Sequence, residues 1–162
     1  MNPTCVIVAN SSRARFFKLE DSDSPDFETG PKLIELSALI NSETSHNASG
    51  SWSEMKSGRN RATNSGNAHG YDDHRKKHLD EYEKRFAQSI IDETQRINKR
   101  NGKIILVSQN RMLGHLRNAM SGALKESLTT ELNKDLIRLD PNELQDRLSD
   151  EHLIPKKRSV PH

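Results

Sequence analysis

Residues 41–70 divide this chain in two. Across those thirty positions stand seven Ser, five Asn and four Gly, with little apolar besides Trp52 and Met55. Such a stretch buries too little to offset the entropy of ordering it, and it is expected to be a long mobile loop. Any core must then come from the two flanks. In a chain of 162 residues that means one domain rather than two lobes. The expected division is a single α/β unit over residues 1–150, carrying the 41–70 loop, and a polar C-terminal tail over residues 151–162, expected to be loose from Ile154 on.

Before the loop, Thr4–Ala9 (TCVIVA) and Ala14–Leu19 (ARFFKL) are short β-branched or aromatic runs whose link is short enough for a hairpin. Turn formers fill 21–31, and Lys32–Ile40 (KLIELSALI) is read as a third strand. Beyond the loop, Leu79, Tyr82, Phe86, Ile90 and Ile97 recur at spacings of three, four or seven. They predict one stripe of a helix from about Asp72 to Arg100. Asn101-Gly102 is expected to stop that helix in a left-handed conformation. Lys103–Val107 (KIILV) is a continuous apolar run, as a central strand covered on both faces requires.

Arg111–Met120 reads as a short helix, and Leu124–Leu139 as helix or strand. Leu124, Leu128, Leu132 and Leu136 repeat every four residues, which core packing explains. Gly114 and Gly122 are expected to be packing or turn glycines. Pro141–Leu148 starts as a helix should, with Asp140 as N-cap and Pro at its first position. The fold class is α/β: a mixed five-stranded sheet, its first three strands antiparallel, with flanking helices in a ribonuclease H-like arrangement.

Composition removes several functions. Hydrophobic residues make up 31% of the chain, charged residues 30%, and no run of about 18 apolar residues could span a bilayer. The Cys5–Ala9 run is too short for a secretory core, so the cytoplasm is the expected location. Cys5, the only cysteine, excludes an internal disulfide or a cysteine zinc cage and is expected to be a buried thiol. G-x-S-x-G, Walker A and G-x-G-x-x-G signatures do not occur. A two-metal nuclease needs converging carboxylates; here the first strand ends in neutral Asn10, and Asp135 alone cannot hold the metals.

Two candidate sites remain. Between Lys56 and His78 the basic residues Lys56, Arg59, Arg61, Arg75, Lys76 and Lys77 face two acidic ones, Asp72 and Asp73, for a net of +4. A cationic Gly/Asn/Ser-rich loop leading into a helix suits tracking of phosphates, and Trp52 and Tyr71 could stack on bases at its ends. The second is His74 and His78, four apart on one helix face, with His69 or Glu81 as further metal ligands. No Glu lies between them as in HExxH, and the expectation is solvated histidines without a bound metal or cofactor.

The runs VIVANSSRARFF, EYEKRFAQSIIDETQ, KIILVSQNRMLGHLR and LTTELNKDLIRLDPNELQDRL together resemble the bacterial host attachment protein family. LGHLR at Leu113–Arg117 and NKDL at Asn133–Leu136 are the most specific parts. That family is similar in architecture to the middle domain of eukaryotic release factor 1 and of Pelota. The resemblance implies that Ser42–Gly70 occupies the place of the release factor's Gly-Gly-Gln loop and that Asp135 lies on the fifth strand. The tripeptide is missing: the loop offers Ser65-Gly66-Asn67-Ala68-His69-Gly70, and the next glutamine, Gln88, falls inside the helix. The reading that follows is a non-catalytic binding domain contacting ribosome or tRNA through the basic loop. One rival is a protein-interaction or adhesion-related factor; another is a release-factor-like hydrolase acting through His69, His74 or Gln109.

Overall fold

The structure, a computed structural model, describes residues 3–21, 30–44, 68–99 and 102–157. Strands β1 (Thr4–Ala9), β2 (Arg13–Glu20) and β3 (Lys32–Ile40) precede a thirty-residue helix α1 (Ala68–Ile97). Then follow β4 (Lys103–Ser108), α2 (Asn110–Ala119), α3 (Gly122–Ser127), β5 (Leu128–Asn133) and α4 (Pro141–Asp150). The sheet order is β3-β2-β1-β4-β5. β1 pairs antiparallel with β2, and β2 with β3; β1 pairs parallel with β4, and β4 with β5. The mixed α/β sheet with three antiparallel strands at its start is as the sequence predicts.

Period-two alternation sends the side chains of each central strand into two separate cores. On one face Ile7, Phe16, Ile104 and Leu106 pack with Phe86, Ile90 and Ile91 of α1 and Leu113 and Leu116 of α2. On the other, Val6, Val8, Phe17, Ile105 and Val107 pack with Leu144 and Leu148 of α4. Cover on both faces is why β1 and β4 are apolar without interruption. Cys5 lies in the first core, where burial pushes its thiol up to about 12.

The hairpin turn belongs to Asn10, whose Oδ1 accepts from the N–H groups of Ser12 (2.8 Å) and Arg13 (2.7 Å). Across β2 and β3, Arg15 donates from Nε to Glu35 Oε1 (2.5 Å) and from Nη1 to the carbonyls of Ile137 (3.0 Å) and Leu139 (2.5 Å). Its guanidinium carbon stands 5.0 Å from the ring centroid of Phe17, and its side chain is 12% exposed. One arginine thereby ties the β2–β3 pair to the segment joining β5 to α4. At the edge of the sheet, buried Gln145 donates from Nε2 to the Pro31 carbonyl (2.7 Å) and accepts from the Leu33 N–H at Oε1 (3.1 Å).

Several expectations need correction. Helix α1 starts at Ala68 rather than near Asp72; Gly70 costs a helix about 1 kcal/mol, which one this long absorbs. Leu79, assigned to the buried stripe, is 37% exposed. Gly102 is not left-handed, since no glycine among the described residues has positive φ. Instead a Cβ at Gly102 would lie 2.0 Å from the Pro3 carbonyl oxygen, so close backbone approach requires the glycine. Asn98 stops the helix there, donating to the Gly102 carbonyl (3.2 Å) and accepting from its N–H (3.0 Å).

The ambiguous 124–139 segment divides into the end of α3, capped by Ser121, then β5 and a turn. Its four leucines do enter the cores, but from a helix, a strand and the turn rather than from one helical face. A Cβ on Gly114 or Gly122 would meet nothing within 4 Å, so packing does not demand either glycine. Asp140 caps α4 as expected, accepting from the Glu143 N–H at 2.8 Å.

The tail expected to be loose from Ile154 is anchored at that residue. His152 takes φ 61°, the left-handed position of a Schellman cap in which the N–H of His152 bonds Ser149 and that of Leu153 bonds Leu148, each at 3.0 Å. Ile154 is thereby buried in the second core. Among the described residues, no helix is long and apolar enough to cross a membrane.

Candidate functional site

The buried face of α1 runs through Phe86, Ala87, Ile90, Ile91 and Thr94 and continues to Asn98 just past its end. Helical spacing carries that face back to position 83, and the residue there is a glutamate. Glu83 is buried, its side chain 5% exposed, while Asp80 one turn earlier sits at the rim, 37% exposed. Helix α2 packs across this point with Met112, Leu113 and Leu116 in the core. Arg111 and His115, four apart, share another face of that helix and meet the two carboxylates.

His115 Nε2 lies 3.1 Å from Asp80 Oδ1 and 3.3 Å from Glu83 Oε2. Arg111 Nε is 3.0 Å from Glu83 Oε2, and its Nη2 is 3.7 Å from Asp80 Oδ1. Lys84 contacts the other Asp80 oxygen, Oδ2, at 3.1 Å. That hydrogen bond, together with the fields of Lys84, His115 and Arg111, holds the Asp80 carboxyl below the usual aspartate range.

Proximity here does not produce satisfied hydrogen bonds. Glu83 Oε2 and His115 Nε2 are both buried and neither has a well-directed partner. The short ion-pair distances bring the groups together without hydrogen-bond geometry, and an orphaned buried atom is the costly feature. One ligand atom from each of Asp80, Glu83 and His115 falls within 4.8 Å of the others, a group that could close around a single cation.

The residues singled out in the sequence have separate fates. Arg75, Lys76 and Lys77 are exposed on successive positions of α1. Lys56, Arg59, Arg61 and Trp52 lie outside the described residues, as do the side chains of His69, Tyr71, Asp72 and Asp73. His74 and His78 do share a face: their Nε2 atoms are 2.9 Å apart and His78 stacks on Tyr82 at 6.1 Å. Glu81 is not their third ligand; it faces Arg85 at 3.8 Å.

Gln109 is exposed at the N-cap of α2 and makes no side-chain cap bond. Asp135 is not on the fifth strand, which ends at Asn133; it lies in the following turn, where Oδ1 accepts from the Ile137 N–H at 3.5 Å. Asn10 serves the hairpin through its side-chain oxygen.

Sequence reasoning missed Asp80, Glu83, Arg111 and His115. Glu83 was detectable, because a carboxylate stands in phase with the apolar stripe. The pairing with α2 was not, because it joins residues about thirty positions apart through tertiary packing.

Fold and site together define a mixed α/β protein with an open five-stranded sheet, helices on both faces, and a charged cluster where two of those helices meet. A protein-family model described as "Protein required for attachment to host cells" matches residues 5–148. The chain therefore belongs to the host attachment protein family, whose description connects it with attachment to host cells. A search of curated proteins finds no match.

Proposed function

We propose that this chain is a non-catalytic, cytoplasmic binding domain that contacts RNA, ribosomal or transfer, through a basic surface at the start of α1. The observation that carries the reading is the exposed run Arg75, Lys76 and Lys77. Consecutive helical positions turn by about 100°, so these side chains fan around the helix rather than lining one face. A fan of cations suits a polyanion that wraps or grips the helix end. Lys56, Arg59 and Arg61 precede that end in sequence and add to its charge. The release-factor resemblance supplies the ribosome as the polyanion, and the missing Gly-Gly-Gln tripeptide argues for binding without hydrolysis.

Ribosome co-sedimentation at low and high salt tests this. Wild type should pellet with ribosomes at low salt and be released as salt rises; Arg75→Glu/Lys76→Glu/Lys77→Glu should stay in the supernatant at both. Equal behaviour of the two proteins at low salt rejects the reading.

The family description favours a second reading, a protein-interaction or adhesion-related factor required for attachment to host cells. Cell fractionation separates the two: the RNA reading requires the chain in the ribosome-containing fraction, the adhesion reading in the envelope.

A further inference from the structure

We propose that Asp80, Glu83 and His115 form a binding site for a single divalent first-row transition ion of the Zn²⁺ or Mn²⁺ class. The site is independent of the basic surface. Two donors each about 2.1 Å from one ion stand about 3.0 Å apart at a right angle and about 3.4 Å apart at the tetrahedral angle. The observed separations from His115 Nε2, 3.1 Å to Asp80 Oδ1 and 3.3 Å to Glu83 Oε2, are those of neighbouring ligands on a common centre.

A second observation is independent of that spacing. Glu83 Oε2 and His115 Nε2 are buried without a hydrogen-bond partner, in side chains only 5% and 10% exposed. A carboxylate oxygen and a ring nitrogen, both buried and orphaned side by side, cost stability that a cation accepting a lone pair from each would recover.

The donor chemistry narrows the ion. An imidazole with two carboxylates suits Zn²⁺ or Mn²⁺, whereas Mg²⁺ prefers oxygen ligands and retains its water. Two carboxylates neutralise the divalent charge, and partly exposed Asp80 leaves a route from solvent. Three protein ligands leave at least one coordination position for water or another group. Arg111 is the competitor: its Nε stands 3.0 Å from Glu83 Oε2, but its side chain is half exposed and can swing outward when the ion enters.

Isothermal titration of the full chain, freed of metal, with Zn²⁺, Mn²⁺ and Mg²⁺ tests the site. Zn²⁺ and Mn²⁺ should bind at one ion per chain and raise the melting temperature, and Mg²⁺ should do neither. His115→Gln and Asp80→Asn should each weaken binding by about tenfold or more. Asp80 is at the rim, so Asp80→Asn keeps the test available if His115→Gln does not fold. His74→Ala/His78→Ala should retain the one-to-one site, and Arg111→Ala should bind more tightly than wild type. Absence of Zn²⁺ and Mn²⁺ binding overturns the assignment, as does binding that survives Asp80→Asn or disappears with His74 and His78. An Arg111→Ala protein that melts lower and takes up no cation would identify the cluster as an ion-pair network and nothing more.

Discussion

Arg15 and Arg111 each meet a glutamate at the boundary of a core, yet the two clusters are built to different standards. Around Arg15 the donors are used: Nε and Nη2 reach the two oxygens of Glu35, and Nη1 reaches two main-chain carbonyls. Around Arg111 the charges also stand at ion-pair distance, 3.0 Å from Glu83, but Glu83 Oε2 and His115 Nε2 remain without a directed hydrogen bond. Low dielectric makes a satisfied polar group rigid and an unsatisfied one expensive, so two ion pairs can have opposite energetics. The first cluster fastens strands to a distant turn; the second is a place where stability has been given up.

Truncation should make that contrast measurable in urea. Arg15→Ala leaves Glu35 and two carbonyls without their donor and should destabilise by about 3 kcal/mol. A loss below about 1 kcal/mol would remove the distinction from that side. In the metal-free chain, Glu83→Met replaces a buried carboxyl that lacks a directed hydrogen bond, on an apolar stripe, with a side chain of similar volume and should stabilise by about 1 kcal/mol. A clear loss of stability would show that the Arg111 and His115 contacts satisfy Glu83 after all.

Smaller changes sharpen the picture. Gly114 lies inside α2 beside His115 with open space where a Cβ would stand, so Gly114→Ala should stabilise by about 0.8 kcal/mol, read from the same unfolding midpoint. Lys84→Met removes an exposed contact to Asp80 and should cost about 0.3 kcal/mol near neutral pH. The Asp80 carboxyl titrates below its ordinary 3.8, so the stability it contributes is present above that value and is lost as the pH falls beneath it. Acid unfolding curves of wild type and Lys84→Met should therefore converge at low pH; curves that stay parallel would dissociate Asp80 from the effect.

Much of the scaffold could be read before any coordinates. TCVIVA and KIILV are apolar throughout because both sheet faces are covered, and Asp140-Pro141 marks the start of α4 through local chemistry alone. The misses came where tertiary context decides. Leu124 to Leu136 has the period of a helix, yet Thr129 and Thr130 sit in a strand that pairs with β4. Gly102 looked like a conformational glycine and proved to be a steric one, which only the position of Pro3 reveals. The basic run at Arg75–Lys77 was legible as charge, whereas the Asp80–Glu83–His115 cluster depends on α2 lying across α1.

Gln145 bears on how the sheet ends. By donating to the Pro31 carbonyl and accepting from the Leu33 N–H, its side-chain amide takes the two bonds that a residue of a parallel strand opposite Lys32 would take. Helix α4 thus supplies a surrogate rung, one peptide long, and plugs the first docking register available to a foreign β-segment along that border. A newcomer seeking to extend the sheet there would have to evict a buried amide before forming its own first bond.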